Sequence, residues 1–388
     1  MTAPVFILAG EPSGDRLAAS LMGAINDAYG QQRWIGVGGP AMAAQGLTTA
    51  HPMDRLTVMG FGAALVAYPR LSRFADRLVD EIIAARPRLV MTVDVKGFSL
   101  RLAARLKRRM AAEGWSAPII HTVAPTVWAW GGWRRRRVAR AVDGLLCLFP
   151  FEPDYFTPLG VKACFIGHPE AFNPAYDKAS RPPSSDTPHV TLLPGSRRAE
   201  IDHHLKPMLI TLDNLHYTHP QVTATIPALP SMRSEIELVM QRMPGSEAAV
   251  TVDYGDSALF DSLARSQAVL AASGTVTLQT ALYGVPGVAC YITSGLSAAI
   301  GRRLVRMDRV ILPNALLGRE VYPFLFQKDA NPRELARALL KVLADGKAEA
   351  KAGADAIELR GLMRGDAASF EANVAAAMAP WMDPTRRP

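Results

Sequence analysis

Short runs of apolar residues alternate with longer segments of helical periodicity along the first half of the chain. Apolar runs of strand length predict strands near Val5–Ala9, Trp34–Gly38, Leu89–Asp94, Ile119–Val123, Gly144–Leu148 and Cys164–Ile166. Helical periodicity predicts intervening helices at Ser13–Asn26, Leu71–Ala85 and Ser99–Ala112. This alternation is typical of βαβ units, in which helices cover a parallel sheet.

A second alternating series follows a Pro/Ser-rich stretch, Ala179–Pro188, which we interpret as a linker. Its predicted strands are Val190–Leu193, Thr223–Ile226, Ala249–Val252, Ala268–Ala271 and Gly287–Tyr291, and its predicted helices include Ile201–Tyr217, Thr275–Leu282 and Pro332–Leu343. We therefore expect an α/β protein with two Rossmann-like domains, residues 1–178 and 189–345, and a helical tail, 346–388. The domains should face a cleft, a usual place for a small-molecule site.

Composition adds limits to this prediction. The chain has 388 residues, of which 49% are hydrophobic, enough for two cores. Cys147, Cys164 and Cys290 show no metal or redox spacing, so we expect buried thiols in a reducing cytoplasm. No signal peptide and no apolar run of membrane-spanning length is visible, which predicts a soluble or peripheral protein.

The net charge of +8 is concentrated in a basic region between residues 101 and 140. Such a region favours phosphate, anionic lipid or nucleic acid, although an ordinary solvated face is common. No nucleic-acid-binding fold signature accompanies it, so we expect no nucleic acid. Three tryptophans, Trp128, Trp130 and Trp133, precede four arginines and favour a membrane interface or an acylated, phosphorylated substrate; a packed indole cluster is the alternative. The apolar stretch Val58–Tyr68 is either an interfacial lip or a core helix.

Asp94 ends a predicted parallel strand, where its carboxylate would point toward a ligand cleft. It is the best candidate for a general base, and the alternative is a helix N-cap. The loop Ala9–Asp15 lacks dinucleotide or Walker spacing, so it is either a ligand loop or a structural turn in which Ser13 caps the next helix.

Two loops of the second domain have the features of phosphate sites. Arg197 follows a Pro-Gly-Ser turn and could hold a diphosphate in a bidentate manner, aided by Ser196 and helix amides. The backbone amides of the turn Ala272–Thr275, at the start of a predicted helix, could form an anion site. Capping of that helix by Ser273 or Thr275 is the alternative, and both roles can hold together.

An ordered series of motifs across almost the whole chain resembles lipid-A-disaccharide synthase, a metal-independent inverting glycosyltransferase family of the two-domain GT-B type. The matching segments are AGEPSGD (9–15), GVGGPAM with a following QG (36–46), VMGFG (58–62), VDVKGF (93–98), APTVWAW (124–130), LFPFE (148–152), FIGHP (165–169), LLPGSRRAEI (192–201), AASGT (271–275) and LPNALLGRE (312–320). The resemblance implies transfer of 2,3-diacylglucosamine from UDP to the 6-hydroxyl of 2,3-diacylglucosamine 1-phosphate.

The resemblance also implies roles for individual residues, with neither metal nor cofactor. Asp94 matches the essential aspartate. The donor and UDP would be bound by Ser196, Arg197, Ser273, Gly274, Thr275, Gln279, Asn314 and Glu320. The acceptor side would comprise Glu11, Ser13, Met59, Lys96, Trp128 and Trp130. The tail would cross back to the first domain. The expected surroundings are the cytoplasmic face of the inner membrane, and a homodimer is left open.

This chain departs from the family pattern at several positions. The usual Asp-x-Pro-Asp-Phe has Lys96 for proline and Gly97 for the second aspartate. Ala63 replaces a usual glutamate, Gly131 a frequent arginine, and Gln279 the glutamate that accepts both ribose hydroxyls. These changes leave two alternatives to an active synthase: a non-catalytic relative that binds UDP-sugar or lipid, and a GT-B enzyme with another acceptor, such as a polyprenyl-linked sugar.

Overall fold

The computed structural model describes residues 3–56, 61–129, 131–177, 187–243, 250–293, 310–365 and 368–382, with backbone alone at Ala50, Asp54 and 61–67. The chain divides into two compact units. The first comprises Met1–Phe172 and Met363–Pro388, and the second comprises Asn173–Leu362. Each unit is built on its own parallel sheet with helices against it.

The sheet of the first unit has the order β3-β2-β1-β4-β5-β6-β7, with every neighbouring pair parallel. Its strands are β1 (Val5–Leu8), β2 (Trp34–Gly38), β3 (Leu47–Pro52), β4 (Leu89–Val93), β5 (Ile119–Thr122), β6 (Gly144–Cys147) and β7 (Lys162–Phe165). Its helices are α1 (Pro12–Tyr29), α2 (Pro40–Ala44), α3 (Phe61–Ala85), α4 (Lys96–Ala112) and α5 (Arg135–Ala141). The order of the strands reverses between β1 and β4, so the carboxyl ends of these two strands form a topological switch point, where open α/β sheets bind ligands.

Two apolar clusters lie on opposite faces of this sheet, because successive strand residues point to opposite sides. Helices α3 and α4 bury Leu78 and Leu106 on one face. On the other face, α1 buries Ile25 against Val374, which lies on a helix near the end of the described chain. The Tyr29 hydroxyl donates to the Ala375 carbonyl at 2.6 Å, so this late helix is an integral part of the first unit.

The sheet of the second unit has the order β10-β9-β8-β11-β12-β13 and is also parallel. Its strands are β8 (His189–Leu193), β9 (Thr223–Pro227), β10 (Val250–Asp253), β11 (Ala268–Ala272), β12 (Gly287–Tyr291) and β13 (Phe324–Phe326). The helices that follow in the chain are α6 (Arg198–Thr218), α7 (Arg233–Gln241), α8 (Ala258–Leu263), α9 (Thr275–Tyr283), α10 (Leu312–Leu317), α11 (Pro332–Ala344), α12 (Ala348–Arg364) and α13 (Phe370–Met382).

The predicted α/β class with two parallel-sheet units is confirmed. The strands that periodicity did not predict, β3 and β13, lie at sheet edges. β3 has the sequence Leu-Thr-Thr-Ala-His-Pro without a continuous apolar run, and β13 is apolar but only three residues long, so neither has the length and composition of a buried parallel strand. Residues 179–186 of the predicted linker, and 58–60 of the predicted lip, lie outside the described residues. In the described part of the chain, no helix has the length and apolarity that a bilayer span requires.

Candidate active site

Asp94 lies directly after β4 and has a left-handed backbone, with φ of 50°. Val95 follows with φ of 43°, which is unusual for a β-branched residue and costs about 1–3 kcal/mol. The Asp94 amide donates to the Thr122 carbonyl at 3.1 Å, and the Ser99 hydroxyl donates to the Asp94 carbonyl at 2.9 Å. The N-cap of α4 is Val95 and no side chain caps it, so the alternative that Asp94 caps this helix is wrong.

The half-buried carboxylate of Asp94 lies at a cavity of about 520 Å³, here called the Asp94 cavity. Its walls come from the β1–α1 loop, α3 and the start of α4. They comprise Glu11, Leu56, Tyr68, Leu71, Ser72, Ala75, Asp94, Val95, Lys96, Gly97, Phe98, Arg101 and Arg105. The structure therefore brings three predicted residues together, Asp94, Glu11 and Lys96. The site combines an apolar wall with several cations and one accessible carboxylate at a strand end.

Close backbone approach shapes the floor of this region. A Cβ on Gly10 would lie 2.7 Å from Leu56 Cβ and 2.9 Å from Val95 Cγ2. Glycine is therefore required after β1, because any side chain would push away the Val95 turn that carries Asp94. The first βα loop is a structural support for the adjacent strand end.

The other predicted acceptor-side residues are placed differently. Ser13 is exposed inside the first turn of α1, whose N-cap is Glu11, so the expected capping by Ser13 is wrong. Trp128 is buried, and its indole N–H donates to Glu152 Oε1 at 3.3 Å, within a cluster that includes Phe149 and Phe151. For Trp128 the structure favours the packed-cluster interpretation. Neither Ser13 nor Trp128 lines the Asp94 cavity. Met59 and Trp130 lie outside the described residues.

Two buried titratable groups lie at neighbouring strand ends. His121 on β5 has Nδ1 2.8 Å from Thr92 Oγ1, and burial, aided by the charge of Lys96, lowers its pKa to about 3. Glu152 accepts from the Leu148 and Phe149 amides, both at 3.2 Å. Burial raises the pKa of Glu152 to about 7, although its hydrogen bonds and Lys96 oppose that rise. The Lys96 ammonium thus acts electrostatically on both groups.

We expect the free energy of unfolding to fall as pH drops from 6.5 toward 4. His121 and His168 have folded pKa values of about 3 and about 4, well below the ordinary 6.5, because they are buried. In this pH window the two histidines bind protons in the unfolded chain but not in the folded protein. Glu152 acts oppositely between pH 4.5 and 7, since its folded pKa is raised, but two histidines outweigh one carboxyl.

Denaturant unfolding of the wild type and His168→Asn between pH 4.5 and 7 checks this. Asparagine keeps an acceptor for the Glu170 amide that His168 Nδ1 now binds at 3.2 Å. In the variant, the slope of the free energy of unfolding against pH should be smaller by up to about 1.4 kcal/mol per pH unit, which corresponds to one proton. An unchanged slope would contradict the assignment of His168 as a buried neutral group.

The loop after β8 is organised around Glu200 in the second unit. Its Oε2 accepts from the Ser196 amide at 2.9 Å and the Arg197 amide at 3.3 Å. Its Oε1 lies 3.2 Å from Arg197 Nη1, so Glu200 both caps the start of α6 through the Arg197 amide and pairs with the Arg197 guanidinium. Gly195 has φ of 118°, and a Cβ there would lie 2.4 Å from Glu200 Cβ. Amides and a guanidinium thus converge on one carboxylate, as they would on a phosphate.

This loop borders a pocket of about 470 Å³, here called the Arg197 pocket. Its lining comprises residues 193–197, Glu200, Pro227, Ala228, Leu229, Gly255, Asp256, Ala258, Leu259, residues 272–276, Gln279 and Tyr291. The structure therefore brings Ser196, Arg197, Ser273, Gly274, Thr275 and Gln279 together, as the sequence predicts. The N-cap of α9 is Gly274 without a side-chain cap, so capping by Ser273 or Thr275 is wrong. The amides that begin α9 remain available to an anion.

Asn314 and Glu320 do not line the Arg197 pocket. Asn314 Oδ1 accepts from the Val321 and Tyr322 amides at 3.0 and 2.9 Å, and its Nδ2 donates to the Tyr322 carbonyl at 2.8 Å. All these bonds fix the loop that leads to β13. Glu320 is exposed beside a separate cavity of about 510 Å³ near the amino ends of β12 and β13. Within the second unit, the structure thus separates these two residues from the other predicted donor residues.

The model of the lipid-A-disaccharide synthetase family matches residues 5–377. The chain belongs to this family. A lipid-A-disaccharide synthase from Rhodospirillum centenum is 38% identical over 351 residues, covering 89% of this chain and 86% of that protein. One from Pseudomonas paraeruginosa is 37% identical over 349 residues, covering 88% and 90%. Family membership makes the protein a glycosyltransferase of lipid A biosynthesis, and it confirms the family that the motif series indicates.

Solved structures share the fold at low sequence identity. The MnaA–UDP co-structure from S. aureus has a TM-score of 0.61 and 13% identity, covering 100% of this chain and 99% of that one. The UDP-GlcNAc 2-epimerase from Neisseria meningitidis bound to UDP-GlcNAc has a TM-score of 0.54 and 10% identity, covering 98% and 99%. These likenesses support the GT-B type of fold that the family resemblance implies.

Sequence reasoning missed several residues of these two sites as individuals. Arg101 and Arg105 appear in the sequence only as part of a basic region, although their four-residue spacing places them on one face of α4. Glu200 follows Arg197 by three residues, the spacing of a capping box, which was the available signal. Glu152 and His121 had no such signal, because burial of a polar group depends on tertiary packing.

Proposed function

We propose that the protein transfers 2,3-diacylglucosamine from UDP to the 6-hydroxyl of 2,3-diacylglucosamine 1-phosphate, with inversion and without a metal. Membership of the synthetase family supports the reaction. The observation that carries the site assignment is the Asp94 carboxylate at a strand end, on a largely apolar cavity of about 520 Å³. Acylated sugars need such an apolar wall, and an attacking hydroxyl needs a base.

In this mechanism Asp94 accepts the proton of the acceptor 6-hydroxyl as its oxygen attacks the anomeric carbon of the donor. The bond between that carbon and the UDP oxygen breaks on the opposite side, which inverts the configuration. The strained Asp94–Val95 turn supports the role, since such conformations persist where the surroundings hold a functional group in place.

The Arg197 pocket is the proposed UDP site. The leaving diphosphate gains negative charge as the bond breaks, and Arg197 together with the free amides at the start of α9 can stabilise it. UDP-GlcNAc and UDP in the two structures of shared fold support a nucleotide at this kind of domain.

Replacement of Gln279 by glutamate should lower the donor KM. Gln279 lines the Arg197 pocket at the position where the family resemblance implies glutamate. A carboxylate can accept both ribose hydroxyls, while an amide offers one oxygen. One additional charged hydrogen bond is worth about 1.5–3 kcal/mol, so we expect a decrease of roughly tenfold or more. Initial rates at varied UDP-sugar concentration measure it. A higher donor KM in Gln279→Glu, with an unchanged acceptor KM, would contradict the ribose assignment.

We also propose peripheral binding at the cytoplasmic face of the inner membrane. Trp133 is 76% exposed, and the following Arg135, Arg136 and Arg137 are exposed as well. An exposed indole beside several cations suits the interface of an anionic bilayer. Flotation with vesicles that contain anionic lipid should be strong at low salt and weak at high salt. Equal flotation of Trp133→Ser with the wild type would argue against this surface.

The decisive test of the function is UDP release from the purified protein with defined diacylated donor and acceptor, in the presence and absence of a chelator. We expect turnover in both conditions and a disaccharide phosphate product. UDP binding with no turnover on any acylated sugar would instead support a non-catalytic relative. Preference for a polyprenyl-linked sugar in a competition assay would support a different acceptor. No feature of the two sites favours either alternative.

A further inference from the structure

Arg101 is a cation at the edge of the Asp94 cavity that the mechanism does not use. It is exposed, and its guanidinium carbon lies 4.9 Å from the centre of the Tyr68 ring. Arg105, one turn later on the same face, is different: it pairs with Asp76 at 2.9 Å and donates to the Ser72 hydroxyl and carbonyl. Among the residues that the structure describes, Arg101 has no carboxylate partner. A cation–π contact with a ring leaves the N–H groups of the guanidinium free for an anion.

Gly97 explains why Arg101 is left without a carboxylate. It lies four residues before Arg101 on α4, the spacing at which an aspartate and an arginine pair on a helix. A Cβ on Gly97 would meet no atom within 4 Å, so the space over Gly97 is open. Glycine at this position therefore leaves no carboxylate to compete for Arg101 and makes room for a ligand at the same time.

We propose that Arg101 binds the phosphate of the acceptor, with the sugar ring lying over Gly97. This inference rests on the proposed function. In a sugar 1-phosphate that reacts through its 6-hydroxyl, the phosphate and the hydroxyl are at opposite ends of the molecule. Arg101 lies about 7.5 Å along the helix axis beyond Lys96, which stands next to the Asp94–Val95 turn. A sugar ring placed between Asp94 and Arg101 then contacts α4 at Gly97, where the helix carries no side chain.

Charge and apolar surface divide the cavity in the way this pose requires. Lys96, Arg101 and Arg105 are the cations that line the cavity. Lys96 adjoins the Asp94–Val95 turn and Arg105 is paired with Asp76, so Arg101 is the cation beside α3 that has no carboxylate partner among the described residues. Leu71, Ala75 and Phe98 provide the apolar wall beside it. An acylated sugar phosphate can satisfy both parts of the cavity, whereas a free phosphate would leave the apolar wall unused.

Kinetics in neutral detergent test the proposal with Arg101→Gln. We expect the acceptor KM to rise about 10- to 100-fold, as for loss of a charge-assisted hydrogen bond, with the donor KM unchanged. Gly97→Asp should raise the acceptor KM in the same direction, because the new carboxylate would pair with Arg101. Aspartate is also favourable in the first turn of a helix, so this variant should fold. An acceptor analogue without phosphate should show no difference between the wild type and Arg101→Gln.

Arg108→Gln is the matched control, since it removes one exposed arginine from the same helix outside the cavity. Its acceptor KM should equal that of the wild type. If Arg101→Gln kept the wild-type acceptor KM and weakened only binding to anionic vesicles, the guanidinium would bind lipid headgroups and the proposal would be overturned. Absence of turnover in the wild type would instead refute the proposed function. The two failures are therefore distinguishable.

Discussion

Asp94→Asn is expected to lower kcat by about 10²–10⁴-fold, the contribution of a positioned general base. The amide cannot accept the proton of the acceptor hydroxyl. The fold should remain intact, because Asp94 has φ of 50° and asparagine is among the residues that best tolerate this left-handed conformation. Its backbone contacts to Thr122 and Ser99 do not involve the carboxylate. Loss of turnover would then report on chemistry and not on stability.

The measurement is single-turnover UDP release at saturating donor and acceptor, together with a thermal unfolding curve. Asp27→Asn is the matched control, since Asp27 is an exposed acid on α1 away from the cavity and undergoes the same chemical change. It should retain wild-type kcat. Full activity of Asp94→Asn would exclude this carboxylate as the base and direct attention to Glu11, the other carboxylate of the Asp94 cavity.

Arg197→Gln should lower kcat by about 10²–10³-fold and raise the donor KM, because the lost cation faces charge that grows as UDP leaves. Arg197→Lys should recover little, since lysine keeps the charge but loses the planar pair of donors. The side chain of Arg197 is exposed, and Glu200 is its ion-pair partner among the residues that the structure describes, so the substitution should cost little stability.

Arg198→Gln provides the neighbouring control, as Arg198 is exposed at the next position and does not line the pocket. Initial rates at varied UDP-sugar, and UDP affinity by titration calorimetry, separate the two effects. A variant at Arg197 with wild-type kcat and a raised donor KM would show that the arginine contributes only ground-state binding. Wild-type values for both parameters would remove the diphosphate assignment.

Much of the fold could be predicted because buried parallel strands have continuous apolar runs. The apolar runs that end at Asp94 and at Leu193 are enough to locate both sites along the chain. The edge strand β3 could not be found this way, since its sequence, Leu-Thr-Thr-Ala-His-Pro, has no apolar run. The motif order identified the family, while periodicity identified only the class of fold.

Individual site residues were harder to predict for physical reasons. Capping by Ser13 is an example: Pro12 takes the first position of the helix, and Glu11 becomes the N-cap. Trp128 illustrates a second case, because a tryptophan beside arginines in sequence is here turned inward to donate to Glu152. Arg101 illustrates a third, since its availability depends on Tyr68 from another helix. Contacts between distant segments are not encoded in local spacing.

The arrangement of the first unit has a consequence for the order of folding during synthesis. Its sheet is encoded before residue 172, but α13, which buries Phe370 and Val374 against α1, follows the whole second unit in the chain. A ribosome adds about 5–20 residues per second, so the α1 face of the sheet stays uncovered for roughly ten seconds or more. The unit that starts first is thus completed last, and its exposed apolar face is a natural binding site for a chaperone until α13 emerges.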